Sequence, residues 1–144
     1  MNKPRTFLDS SVIIAALLSL QGGSSYLLRE HHDDFTFQIN EYVLAEIQEV
    51  LESKLSSQVP QSVDLFLLLG VAEVQTISNP SKQELRSVIR LISRKDAPVL
   101  VSAMNESDYL LTLDNEFFKP DVIYAAKERE LVILKPRDLI QMLN

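Results

Sequence analysis

The chain contains no cysteine, which excludes disulfides, thiolate metal sites and a cysteine nucleophile and suits a reducing cytoplasm, the expected location. Only 3 glycines and 6 prolines are spread over the 144 residues. No internal repeat, low-complexity tract or linker interrupts them. Long apolar runs are missing too: Val12 to Leu18 falls far short of the ~20 residues needed to cross a bilayer, so no membrane is expected. Positive charge is in deficit, with 14 Lys and Arg against 20 Asp and Glu for a net charge of −6. Affinity for phosphate backbones comes mainly from Lys and Arg, so this balance counts against a passive nucleic-acid-binding module. It does not count against a metal-dependent nuclease, whose clustered carboxylates also give an acidic total.

Lys3 and Arg5, the run Val12–Leu18 and then Gly22-Gly23-Ser24-Ser25 loosely mimic a secretory signal. Asp9 interrupts the pattern and no A-x-A-like cleavage site follows, so the segment is expected to belong to the fold. The residues present, 46% hydrophobic and 24% charged, can fill the core of one ordinary domain spanning 1–144.

Periodicity predicts alternating strands and helices. Thr6 to Leu8 reads as a buried strand stopping at Asp9, and Val12 to Leu18 as a helix ended by Gly22-Gly23. Ser24 is a suitable N-cap for a second short helix. Phe35 to Ile39 alternates as a strand does, and Asn40 can cap a helix from Glu41 to about Ser53. Pro60 closes the following loop, and Gln61 to Leu69 reads as a helix with Gly70 at its C-terminal cap. Val71 to Ile77 has strand composition, and Asn79-Pro80-Ser81 opens a helix to about Ser93. Asp96 caps the next helix, with Pro98 in its first turn. Tyr109 to Leu113 is a strand ending in Asp114, Leu131 to Leu134 another, and Pro136 starts a closing helix. Such alternation argues for a parallel sheet covered on both faces.

In open parallel sheets, ligands bind beyond the carboxyl ends of the strands. Asp9 and Asp114 each follow a strand directly, and Asp96 opens a helix, where the dipole favours an anion. Each has a plainer reading as well: Asp9 and Asp96 as helix caps, Asp114-Asn115 as a turn pair. Glu46 is different. On the Glu41–Ser53 helix, Val43, Leu44, Ile47, Val50 and Leu51 form one apolar arc, with Glu41, Gln48, Glu49 and Glu52 opposite. Glu46 sits at the edge of the arc, beside Val43 and Val50. It either has a buried partner or reaches out to water. Adjacent His31 and His32 lie in a polar loop and are read as solvated. Four acids without histidines suit Mg²⁺ or Mn²⁺, which prefer oxygen ligands. Such ions lower the pKa of a bound water, polarise a phosphoryl oxygen and stabilise a leaving alkoxide, so phosphodiester hydrolysis needs no protein nucleophile.

Phe7-Leu8-Asp9-Ser10-Ser11 and the apolar run after it resemble the opening of PIN domains. Glu41-Tyr42-Val43-Leu44-Ala45-Glu46-Ile47 is similar to that family's second acidic helix. Lys95-Asp96-Ala97-Pro98 resembles the third motif, and Leu110-Leu111-Thr112-Leu113-Asp114 the fourth. Val132 to Leu139 is similar to the last strand and helix. The resemblance covers essentially the whole chain, in order. It implies a three-layer α/β/α domain with a central, mainly parallel five-stranded sheet, and Asp9, Glu46, Asp96 and Asp114 converging on Mg²⁺ or Mn²⁺. The subgroup it resembles most is the small prokaryotic PIN proteins known as toxin components of toxin–antitoxin pairs. That likeness implies an endoribonuclease leaving 5′-phosphate and 3′-hydroxyl ends, often a homodimer, inhibited by an antitoxin. Ser11 stands where many relatives have Asn or Thr, and Glu116 where many have aspartate; both are assigned auxiliary roles with Thr112.

Lys82, Arg86, Arg90 and Arg94 recur every four residues on the helix expected to lead to Asp96. Either they form a solvated basic face, or Arg90, Arg94 and Lys95 guide RNA phosphates toward the metal. Two other classes remain to compare. A PIN-like scaffold could act by binding protein or RNA while cleaving poorly. A phosphotransfer domain of the dehalogenase type would want an aspartate where Ser11 stands, and a receiver would want a lysine that Leu113-Asp114-Asn115 does not offer.

Overall fold

Thr6, Phe7 and Leu8 are all completely buried. Successive side chains of a strand point to opposite faces, so the strand they form is covered on both sides, as a central strand of a parallel sheet must be. The computed structural model describes residues 2–53 and 62–143, and this strand, β1 (Arg5–Leu8), lies in the middle of the sheet. Its companions are β2 (Thr36–Asn40), β3 (Gln75–Ile77), β4 (Tyr109–Leu111) and β5 (Val132–Leu134). The five run parallel in the order β3-β2-β1-β4-β5. The expected α/β architecture is therefore present, with the sheet wholly rather than mainly parallel. The chain winds outward from β1 through β2 to β3 and then returns to the other side of β1 for β4 and β5. The reversal falls between β1 and β4, the place where open α/β sheets leave a crevice at their carboxyl edge. Leu8 pairs with Leu111, and Leu111 with Leu134, so these strands end level.

The connections are α1 (Ser10–Leu18), α2 (Gly23–Glu30), α3 (Glu41–Ser53), α4 (Ser62–Val71), α5 (Lys82–Arg86), α6 (Ala97–Glu106), α7 (Pro120–Glu128) and the closing α8 (Pro136–Met142). Every residue of α6 from Ala97 to Met104 is buried; a helix apolar all round belongs in the interior. Asn40 ties it down. Its amide donates to the Pro98 carbonyl at 3.2 Å and to Ser102 Oγ at 2.8 Å, while its oxygen accepts the Val43 N–H at 2.9 Å and caps α3 as anticipated. Among the described residues no single helix is long and apolar enough to cross a membrane.

Several boundaries differ from the expectations. The N-cap of α2 is Gly22, not Ser24, which lies inside the first turn. Helix α4 runs through Gly70 to Val71; the left-handed residue that ends it is Glu73, with φ 54°, so the expected strand Val71–Ile77 shortens to Gln75–Ile77. The helix expected to reach Ser93 stops at Arg86. There the Ser87 hydroxyl donates to the Glu84 carbonyl at 2.6 Å, an alternative to the helical ladder. The chain then turns through three-residue bonds, such as Leu91 N–H to the Val88 carbonyl, which brings Val88 and Ile92 into the core. Strand β4 ends at Leu111 rather than Leu113, because the Leu113 N–H bonds to Ser11 Oγ at 3.1 Å instead of to a strand. Helix α7 was not anticipated, although Pro120 at its first position and Val122 and Ala126 four apart on its buried side were visible cues. The expectations at Pro60 and Gln61 lie outside the described residues.

Candidate active site

Asp9 leaves the end of β1 with only 4% of its surface exposed. One carboxylate oxygen accepts the Ser10 N–H at 2.9 Å; the other accepts Ser11 Oγ and Thr112 Oγ1, both at 2.8 Å. It therefore does sit at the N-cap of α1, as the plainer reading held, but its second oxygen is held by the hydroxyls of Ser11 in that helix and of Thr112 just after β4. Burial pushes its carboxyl above the usual carboxylate range. The Ser11 and Thr112 hydroxyls pull the other way, the Glu46 charge adds to the rise, and the Ser10 N–H opposes it.

The Thr112 hydroxyl, fully buried, joins two acids. It donates to Asp9 and accepts the Asp114 N–H at 3.0 Å. Asp114 in turn caps a short 3₁₀ turn, Asn115–Phe118, by accepting the Glu116 N–H at 3.0 Å. Asp96 occupies the N-cap position of α6, yet its side chain makes no capping bond; it accepts Ser93 Oγ at 3.1 Å. Capping accordingly does not account for this carboxylate. Burial raises its pKa, the Ser93 bond lowers it, the charges of Asp114 and Asp9 raise it and Lys95 lowers it. Glu46, half-buried on α3, accepts Ser10 Oγ at 2.5 Å, which decides for a partner over a solvent-facing side chain.

Asp9, Glu46, Asp96 and Asp114 thus act on one another electrostatically from four elements that meet at the carboxyl edge. Ser11 and Thr112 support Asp9 directly. Glu116 does not reach into the group: its carboxylate pairs with Lys119 Nζ at 2.5 Å. Lys95 is felt by Asp96, but Arg90 and Arg94 do not share one helical stripe, since α5 ends before them. Arg94 instead lines, with Lys82 and Arg86, a cavity of about 370 Å³ that also has Leu85 and Ile89 in its wall. Three contributors escaped the sequence reading. Ser10 and Ser93 act through hydroxyls whose partners are fixed only by folding. Tyr42 stands one turn before Glu46, and that spacing was a usable signal. Its phenol is pushed up by burial and then by Glu46, Asp96, Glu49 and Asp9.

Two other features lie at the opposite, amino edge. A cavity of about 710 Å³ is lined by Lys3, Arg5, Gln38 and Asp108 and contains none of the four acids. His32, Asp33 and Glu73 bring ligand atoms within 4.8 Å of one another in the loops before β2 and β3. Among the described residues no three of the site acids approach that closely. Nor does any of the four form an ion pair there. Oxygen donors that burden one another and lack a cationic partner fit a hard divalent cation, and Mg²⁺ commonly keeps several waters and binds only one or two carboxylates directly. The residues present fit such an ion.

An open parallel α/β sheet with acids gathered beyond its reversal point defines a domain that presents carboxylates to a ligand at one edge. A PIN-domain family model matches residues 5–116, a span that includes all four acids, and the chain belongs to the PIN domain family. Comparison with curated proteins returns no match. Among solved structures, PAE2754 from Pyrobaculum aerophilum is similar with TM-score 0.67 and 16% identity, over 97% of this chain and 95% of that one. VapBC2 from Rickettsia felis, solved bound to a DNA fragment from its promoter, is similar with TM-score 0.67 and 19% identity, over 91% of this chain and 98% of the matched one. At these identities the two likenesses speak for the fold alone.

Proposed function

We propose that the protein is a Mg²⁺- or Mn²⁺-dependent endoribonuclease and the toxin of a toxin–antitoxin pair. The observation that carries this reading is the group of four carboxylates without an ion-pair partner, two of them with raised proton affinity from burial. Asp9 and Asp114 would be the principal metal ligands, Asp96 a ligand to the same or a second ion, and Glu46 a ligand or an acceptor that orients water. When bound, the ion supplies Lewis acidity toward a phosphodiester and a water. The protein's own share is positional. Ser11 and Thr112 hold one Asp9 oxygen and the Ser10 N–H the other, Thr112 also binds the Asp114 N–H, and the Ser10 hydroxyl holds Glu46. Lys95 offers a cation next to Asp96 for an RNA phosphate, whereas Arg94 lines the neighbouring cavity with Lys82 and Arg86.

The likeness to a VapBC2 complex supports a protein partner, here proposed to be an antitoxin. A homodimer is proposed as well, because α4 turns Val63, Phe66, Leu67 and Val71 outward. The decisive test is Mn²⁺-dependent cleavage of single-stranded RNA by wild type and Asp9→Asn. We expect EDTA to abolish cleavage, and the substitution to reduce it about 100-fold or more, the upper end of what losing a supporting group costs a metal site. Cleavage that survives both would reject the centre. Binding without cleavage by the wild type would leave a scaffold role.

A further inference from the structure

A second cleft opens one residue away from the acids. Its cavity of about 450 Å³ lies between the turn joining α1 to α2 and the start of α8, and Leu113, the neighbour of Asp114, forms part of its wall. Ser24 lines it and is only 5% exposed. The Ser24 hydroxyl has no hydrogen-bond partner among the described residues, yet no sealed side-chain polar atom is left unsatisfied there. The hydroxyl therefore keeps its free side toward the cleft.

The amino end of α2, eight residues long, points the same way. Its N-cap is Gly22, which has no side chain to occupy the first-turn N–H groups, so those donors and the positive end of the helix dipole stay available. A β-carbon at Gly23 would meet Ile140 Cδ1 at 3.2 Å, so α8 packs closely against this turn. Lys135 and Arg137 stand at the rim. Arg137 Nε reaches Asp138 only at 4.0 Å and its side chain is 78% exposed, which leaves its remaining donors for another anion. Leu113, Pro136 and Ile140 make the rest of the wall apolar. The volume lies in the roughly 300–1,000 Å³ range of sites for whole small molecules, more than a lone phosphate needs.

We propose that this cleft is a nucleotide subsite for the RNA strand. It would take the phosphodiester next to the one at the acids on the Ser24 hydroxyl and the amino end of α2, with the sugar or base against Leu113 and Ile140. The inference rests on the RNA reading above and concerns binding, so it is tested without metal. Binding of a fluorescent single-stranded RNA oligonucleotide is measured in EDTA over a range of NaCl concentrations. The variants are Ser24→Ala and the pair Lys135→Gln with Arg137→Gln. Ser24→Ala should weaken binding about 10-fold, the loss expected for a hydrogen bond to a charged group. The double variant should flatten the salt dependence by about 0.7 in log–log slope, the value for one phosphate on a single strand.

Wild-type affinity and slope in both variants would overturn the subsite. So would binding of a mononucleotide, sensitive to these variants, in a protein that does not bind the strand. Should Ser24→Ala melt early, the double variant, whose Arg137 is exposed, carries the test alone. The two proposals fail separately. A protein that cleaves RNA through Asp9 while its cleft variants bind normally loses the subsite and keeps the nuclease; one that binds through the cleft without cleaving does the reverse.

Discussion

At the scale of residues, Asp9 carries an electrostatic load that the fold imposes. Burial, and secondarily the charge of Glu46, raises its folded pKa above the ordinary value of 3.8, and burial does the same for Asp96. A carboxyl with a raised folded pKa binds its proton more tightly in the native state than in the unfolded chain. Its contribution to stability is therefore present below about pH 4 and is lost as pH rises through the folded value. The metal-free protein should consequently gain stability when Asp9 is replaced by Asn at pH 7, and the gain should shrink as pH falls toward 4. Urea denaturation in EDTA across pH 4–8 measures this, and an Asp9→Asn protein less stable than wild type at pH 7 would contradict it. This scale also sorts what the sequence discloses. Asp9 was legible because a strand end is legible, and Glu46 because a carboxylate at the edge of an apolar arc is out of place. Asp114 was read as a strand end, but β4 stops three residues before it, at Leu111. Ser10 was not legible: its role depends on an acid 36 positions away, and a serine beside an aspartate has no periodicity to read.

At the scale of elements, one amide ties α6 to its neighbours. Asn40 is fully buried and joins the end of β2 to the first two turns of α6 while capping α3. Asn40→Ala removes three hydrogen bonds and leaves the buried Ser102 hydroxyl without its partner, a cost of about 2–4 kcal/mol. Chemical denaturation should show it as a lower midpoint with an unchanged slope. A loss below about 0.5 kcal/mol would mean that α6 is held by packing alone. Asn40 was read from sequence as the cap of α3; its grip on α6 was not, because a cap is local and the second bond spans 62 residues. The same divide explains the helix that ends at Arg86. Its Asn79-Pro80-Ser81 opening and four-residue basic spacing promised a long helix, but Val88 and Ile92 are buried in the core and Ser87 supplies the local bond that breaks the ladder. The central strand β1 fared better, since a buried apolar run is set by solvent, not by partners; the less buried β3 shrank from Val71–Ile77 to Gln75–Ile77.

At the scale of the whole molecule, the outer face of α4 is anomalous. Val63, Phe66, Leu67 and Val71 are 63%, 52%, 63% and 50% exposed, on a helix whose other side places Leu65 and Leu68 in the core. A two-fold pairing of copies would bury this stripe against itself. Light scattering should then give a dimer mass for the wild type and a monomer mass with Phe66→Glu and Leu67→Lys introduced together; a monomeric wild type would reject the pairing, and a variant that stays dimeric would reject α4 as its contact. Nothing in the periodicity of α4 announced this, because apolar residues on both sides of a helix read as an interior helix.

The seam between β1 and β4 has a temporal consequence. Asp9 and the Thr112 hydroxyl that steadies it are separated by 103 residues, and β4 docks only beside a β1 that has waited for most of the chain to be made. A polypeptide ending before Tyr109 holds Asp9, Glu46 and Asp96 but lacks Asp114 and the strand that places it. Assembly of the four acids therefore waits on the late strand that closes the sheet.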